Sequence, residues 1–152
     1  MEPFIKERYG WDGYFLNAPG AVFSFEDIDY SEALRDFLEQ RTIKELYIVN
    51  DTGCLFIKSI LEGGQGFETK AEQVMRNLFI DNYFEIMGKE SLADRTIALA
   101  TRNLERQAQD IVSNDLLWPV LHRLQIRVSG VLTTKKKGSL KELTINLQEN
   151  YR

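Results

Sequence analysis

The sequence predicts an α/β domain with a mostly parallel central β-sheet flanked by helices and an antiparallel C-terminal edge strand. Three observations predict it. Leu46-Tyr47-Ile48-Val49 is an apolar run rich in aromatic and β-branched residues, which suits a parallel strand covered on both faces. Segments of helical period precede it and follow it, with short connections. The chain closes with two strand-like stretches joined by a polar turn, the pattern of a hairpin.

The 152 residues predict one domain, 1–152, with a core large enough to fold without staples. Nineteen basic against 23 acidic residues give a net charge of −4, so no global attraction to nucleic acid or to an anionic membrane is expected. One cysteine excludes an internal disulfide. No apolar run has the length of a signal peptide or a membrane span, and a cytoplasmic protein is the expectation. Cys54 and His122 alone cannot make a closed zinc site, which takes four ligands.

Residues 1–10 are mixed and end at Gly10. Gly13-Tyr14-Phe15-Leu16-Asn17 reads as a short strand broken by Pro19, which lacks the N–H a ladder needs. Asp29 or Ser31 is expected to cap a helix with Ala33, Leu34, Phe37 and Leu38 on its apolar face, ending near Thr42. The strand at Leu46–Val49 follows and leads into Asp51-Thr52-Gly53-Cys54. Asp51 or Thr52 then caps a second helix with Cys54 in its first turn, and Ile57, Ile60 and Leu61 share its inner face. Gly63-Gly64-Gln65-Gly66 lacks the Lys-Ser/Thr of a phosphate-binding loop and reads as a flexible connection.

Glu68 to Met87 is expected to form one long helix, closed by Gly88. Ser91 caps the next, which carries Leu92, Ile97, Leu99, Leu104, Ala108, Ile111 and Val112. Ser113-Asn114-Asp115 starts a short helix that tolerates Pro119 in its first turn and turns Leu117, Val120, Leu121 and Leu124 inward. Ile126–Leu132 and Leu140–Leu147 are the closing strands, with Lys135-Lys136-Lys137-Gly138 as a solvated hairpin tip.

In an open α/β sheet, ligands bind beyond the carboxyl ends of the parallel strands. Asp51, Thr52, Gly53 and Cys54 are therefore the first address for a site. The Thr52 hydroxyl and the N–H groups from Gly53 to Leu55 favour a polar ligand, while Asp51 opposes an anion there. A helix N-terminus favours a Cys54 thiolate, whereas the nearby Asp51 and the lack of an adjacent histidine or basic residue oppose it; a buried inert cysteine is the simpler alternative.

Several local patterns, in this order and spacing, resemble the β-class carbonic anhydrases over about Gly13 to Leu143. Tyr14-Phe15-Leu16-Asn17-Ala18 is similar to the family's strand ending in Arg-Asn-Ala-Gly. Tyr47-Ile48-Val49-Asn50-Asp51-Thr52-Gly53-Cys54 is similar to its Val-Val-Gly-His-Thr-Asp-Cys strand and turn. Asn103-Leu104-Glu105-Arg106-Gln107 resembles its Asn-Val-x-x-Gln, and Leu124-Gln125-Ile126-Arg127-Val128-Ser129-Gly130 its Leu-Arg-Val-x-Gly strand.

The resemblance implies a zinc ion held by Cys, His and Cys, which activates a water for attack on carbon dioxide. By that pattern Cys54 matches the later cysteine, and Asp51 stands where the histidine belongs. The family's first motif, Cys-x-Asp-Ser-Arg, has no counterpart in this chain. Asp51 and Cys54 are half a metal site. The resemblance thus implies a degenerate member without zinc, and with no other cofactor expected, acting as a binding or interaction protein. The alternative is a working zinc lyase completed by another subunit or by a longer native N-terminus.

Losing the family's first strand removes a central element, which should leave a hole unless residues 1–10 or a partner fill it. Asn17 joins Asp51, Thr52, Gly53 and Cys54 as a pocket candidate. The resemblance also implies a homodimer or a higher even-numbered oligomer. Tyr14 to Phe25 and the surroundings of Phe79, Tyr83 and Phe84 are the candidate interfaces, or else are buried within one subunit.

Overall fold

The protein is described by a computed structural model that covers residues 2–9, 13–134 and 139–143. Helix α1 (Glu2–Tyr9) opens the chain and buries Ile5. The expected strand at Gly13–Asn17 does not form. A strand exists only through its ladder, and no strand among the described residues lies beside this segment. It runs without regular structure into a 3-10 turn, Pro19–Ala21. Gly20 sits at φ 63° there, and a Cβ on it would lie 2.7 Å from the Phe56 ring, so both backbone and space require glycine.

Helix α2 (Ile28–Gln40) is capped by Asp27, not by Asp29 or Ser31: the Asp27 carboxylate accepts from the Tyr30 N–H at 3.2 Å. Ser31 is instead buried and donates to the Phe25 carbonyl at 2.8 Å. Asn114 donates to the same carbonyl at 2.7 Å, which ties the helix start to a residue 89 positions beyond Phe25. Leu34 and Leu38 are buried as expected, whereas Ala33 is exposed.

Strand β1 (Glu45–Asp51) follows, then helix α3 (Leu55–Glu62), which ends on Gly63 in the left-handed conformation. Ile57 and Ile60 are buried. The glycine-rich connection after it is anchored at its far end. The Glu72 carboxylate accepts from the N–H groups of Phe67 and Glu68 and from Arg76.

The expected helix from Glu68 to Met87 is two helices, α4 (Lys70–Asp81) and α5 (Tyr83–Met87). Asn82 breaks it at φ −114°, ψ 22°, and its side chain donates to the Leu78 carbonyl at 2.9 Å, competing with the helical bond. Thr69 caps α4, and Ser91 caps the long helix α6 (Leu92–Val112). Leu99, Leu104, Ala108, Ile111 and Val112 form its buried face, while Leu92 and Ile97 are exposed. The Asn114 carboxamide accepts from Leu116 and Leu117 N–H ahead of α7 (Trp118–Arg123). Leu117, Val120 and Leu121 point inward, but Leu124, just past the helix, is exposed.

Strand β2 (Arg127–Thr134) pairs parallel with β1, from Glu45 opposite Arg127 to Asp51 opposite Thr133. Strand β3 (Ser139–Leu143) pairs antiparallel with β2 and forms the C-terminal edge. The lysine-rich tip at 135–138 and the expected end of the last strand at 144–147 lie outside the described residues. The sheet order is β1-β2-β3, so among the described residues β1 has a strand on one side only. Helix α6 packs on β1 and β2, and α3 and α4 pack on α6, around a core that includes Leu38, Ile48, Met75 and Leu104. Among the described residues no helix is long and apolar enough to cross a membrane.

Candidate functional site

The carboxyl end of β1 is fastened to β2 by a set of polar bonds. Thr52 N–H donates to the Thr133 carbonyl at 3.0 Å, and the Thr52 hydroxyl reaches the same carbonyl at 3.2 Å. Asp51 closes the turn. One of its carboxylate oxygens accepts from Gly53 N–H at 2.5 Å, and the other accepts from the fully buried Thr133 hydroxyl at 2.8 Å. Gly53 allows this close approach, because a Cβ there would stand 2.7 Å from the Asp51 oxygen. Neither Asp51 nor Thr52 caps α3. The cap position belongs to Cys54, whose thiol makes no capping bond; its N–H donates to the Asp51 carbonyl at 3.0 Å.

A cavity of about 810 Å³ opens beside β1. Asn17, Asp51 and Cys54 all line it, whereas Thr52 and Gly53 do not. Sequence reasoning missed Asn50. It is 2% exposed and lines the same cavity; its carbonyl oxygen accepts from Asp51 N–H at 2.9 Å, and its side-chain nitrogen has no partner. A carboxamide at the end of an apolar strand run was the available signal. Cys54 is a half-buried free thiol on the cavity wall.

Asp51 and Cys54 are two donors from one turn. Among the described residues, no group of three His, Cys, Asp or Glu side chains is placed to hold a metal ion. His122 is exposed on α7, with its ring 6.0 Å from that of Trp118, and it is not a lining residue of the cavity.

The wall opposite β1 is held from behind. Gln107 on α6 accepts from Phe23 N–H at 2.8 Å, and Asn103, one turn earlier, donates to the carbonyls of Gly20 and Ala21 at 3.2 and 3.4 Å. Tyr14 packs edge-on against Phe37 of α2 with ring centroids 4.9 Å apart. Of the aromatic candidates, Tyr14 and Tyr83 are exposed, and Phe84 is 90% exposed.

The architecture has solved counterparts. The chain is similar to a β-carbonic anhydrase of Coccomyxa in complex with acetazolamide, with a TM-score of 0.69 and 20% identity over 84% of this chain and 59% of that one. It is similar to a tetrameric β-carbonic anhydrase of Sordaria macrospora, with a TM-score of 0.67 and 17% identity over 82% of this chain and 64% of that one. A β-carbonic anhydrase of Aspergillus fumigatus gives a TM-score of 0.67 and 20% identity over 82% and 60%.

The chain has a β-carbonic-anhydrase-like fold.

It spans about three fifths of the length of these counterparts. No family model and no curated protein matches the sequence.

Proposed function

We propose that this β-carbonic-anhydrase-like protein is a binding protein whose site is the cavity beside β1, and that it does not hydrate carbon dioxide at a zinc ion. The observation that carries this reading is the engagement of Asp51. Both of its oxygens accept hydrogen bonds inside the turn, from Gly53 N–H and from the Thr133 hydroxyl. A catalytic zinc site takes three protein ligands and keeps a fourth position open. Asp51 in its structural role and Cys54 beside it do not meet that requirement. The volume of the cavity, by contrast, lies within the ~300–1,000 Å³ of ordinary ligand sites.

Assembly as a homodimer or a higher even-numbered oligomer is part of this proposal. It is supported by the exposed aromatic surface at Tyr83 and Phe84 and by the tetrameric state of the Sordaria macrospora counterpart. Elemental analysis of the purified protein, paired with a carbon dioxide hydration assay, tests the central claim. Well under one zinc per chain and no rate above background are expected. About one tightly held zinc per chain with hydration activity would instead establish a zinc lyase completed by a second subunit or a longer chain.

A further inference from the structure

The cavity beside β1 has the shape of a missing strand. Successive residues of a strand point to opposite faces, so a cavity on one face is lined by every second residue. This one is lined by every residue from Thr42 to Asp51, and on its far side by every residue from Gly13 to Ala18. It therefore runs along a backbone edge, between β1 and a second non-helical segment.

The register identifies which backbone groups face it. Lys44 C=O accepts from Arg127 N–H, and Thr52 N–H donates to Thr133 C=O. In a parallel ladder the N–H and C=O of one residue point the same way and alternate along the strand. Even-numbered residues of β1 thus bond β2, and Glu45, Tyr47, Val49 and Asp51 turn their backbone groups toward the slot. Asp51 is satisfied locally, its N–H by Asn50 and its C=O by Cys54. Glu45 and Val49 have no backbone partner on that side among the described residues.

The dimensions agree. A strand residue in a sheet fills about 3.3 Å of length, 4.8 Å of width and 10 Å of thickness, or roughly 160 Å³. The cavity of about 810 Å³ thus holds about five such residues. Its walls include Ile5, Phe23, Phe25, Leu34 and Phe37, so an occupant meets apolar side chains. Lys44 stands at one end of the slot and Asp51 at the other. An antiparallel segment that begins with a basic residue and ends with an acidic one brings these to Asp51 and Lys44, a pairing that charge favours.

We propose that the slot binds an extended apolar peptide segment of a partner protein, about five residues long, which adds to the open edge of β1 antiparallel. This rests on the reading of the cavity as the binding site, and it names the occupant. Main-chain bonds to Glu45 and Val49 give affinity, and the apolar walls select β-branched and aromatic side chains. The unpartnered Asn50 side-chain nitrogen selects a hydrogen-bond acceptor at the end nearest it.

The test is a titration of the 152-residue protein with the synthetic peptide acetyl-Lys-Val-Ile-Val-Thr-Val-Glu-amide, read by amide hydrogen exchange. A second peptide carries N-methyl groups on alternate core residues, which keeps the side chains but removes main-chain donors. The expected result is saturable binding of the first peptide, at least about tenfold slower exchange at Glu45 and Val49 when it is bound, and at least about tenfold weaker binding of the second. The proposal is overturned by no binding of the first peptide at millimolar concentration, by equal binding of both, or by amides at Glu45 and Val49 that are already protected in the free protein. None of these outcomes bears on zinc content or hydration activity, so the reading of the protein as non-catalytic stands or falls separately.

Discussion

The engagement of Asp51 in its turn can be measured as a coupling energy. Thr133→Val removes the hydroxyl that donates to Asp51 while keeping the shape of a side chain with no exposed surface. A hydrogen bond to a charged acceptor contributes about 1.5–3 kcal/mol. Asp51 is only half-buried, so water replaces part of that bond when it is lost. The variant should lose about 1–2 kcal/mol. With a urea slope of about 2 kcal/mol/M for a domain of this size, its unfolding midpoint should fall by roughly 0.5–1 M. Asp51→Ala removes the same bond from the other side and also the one to Gly53. If the two residues act as a unit, the double variant costs less than the sum of the single ones, with an interaction energy of about 1 kcal/mol. Equilibrium urea denaturation of the four proteins gives the cycle. A Thr133→Val midpoint within about 0.2 M of the parent, or strict additivity, would refute the reasoning and release the Asp51 carboxylate for a ligand.

Three further outcomes follow from the same geometry. Gln107→Leu leaves the Phe23 N–H without its acceptor and should cost about 1–2 kcal/mol, with faster amide exchange at Phe23 as the local signature; unchanged exchange there would show that Gln107 does not hold the cavity wall. Acid should weaken the protein through Glu72. Its carboxyl is held below its ordinary value of 4.5 by the Arg76 hydrogen bond first, against the opposing cost of burial, with help from the Phe67 and Glu68 N–H groups. A lowered folded value means that this stability is present above about pH 4.5 and lost as pH falls through the folded value. Asp110, raised above 3.8 chiefly by burial, has the opposite sign and favours the fold as pH falls. Glu72→Gln should therefore flatten the loss of urea midpoint between about pH 6 and 3, and an unchanged acid limb would exclude the Glu72 contribution. Phe84→Ser should lower the sedimentation coefficient at micromolar concentration if the exposed ring is a subunit contact; a parent protein that already sediments as a monomer removes that interface.

What the sequence disclosed was what neighbouring residues decide between themselves. Ser91 as a cap, Ile57 and Ile60 of α3, and the α6 face from Leu99 onward depend on spacing within a few turns, and they were legible, whereas Leu92 and Ile97 were not. Distant partners were not. Asp27, Asp29 and Ser31 compete locally as caps, and the competition is settled by Asn114 and Phe25, which hold Ser31 in the core. The break at Asn82 falls inside an apolar period that nothing local interrupts except the side-chain bond to Leu78. At the site, the order Asp51-Thr52-Gly53-Cys54 located the turn but not the direction of its side chains. Thr133 lies 82 residues away and takes Asp51 out of the role a helix cap would have given it.

The strand expected at Gly13–Asn17 failed for the reason that also makes the cavity informative. Its alternation is adequate for a strand, but alternation specifies a face and supplies no hydrogen-bond partner. The same cavity borders the outer edge of β1, whose Glu45 and Val49 backbone groups have no partner there among the described residues. β1 is fixed by its β2 register, Tyr14 packs edge-on against Phe37, and Gln107 and Asn103 hold the chain just after this segment, at Phe23, Gly20 and Ala21. An occupant of the slot would give the Glu45 and Val49 backbone groups a partner. The cavity and the Glu45 and Val49 groups that face it thus point to the same extended ligand.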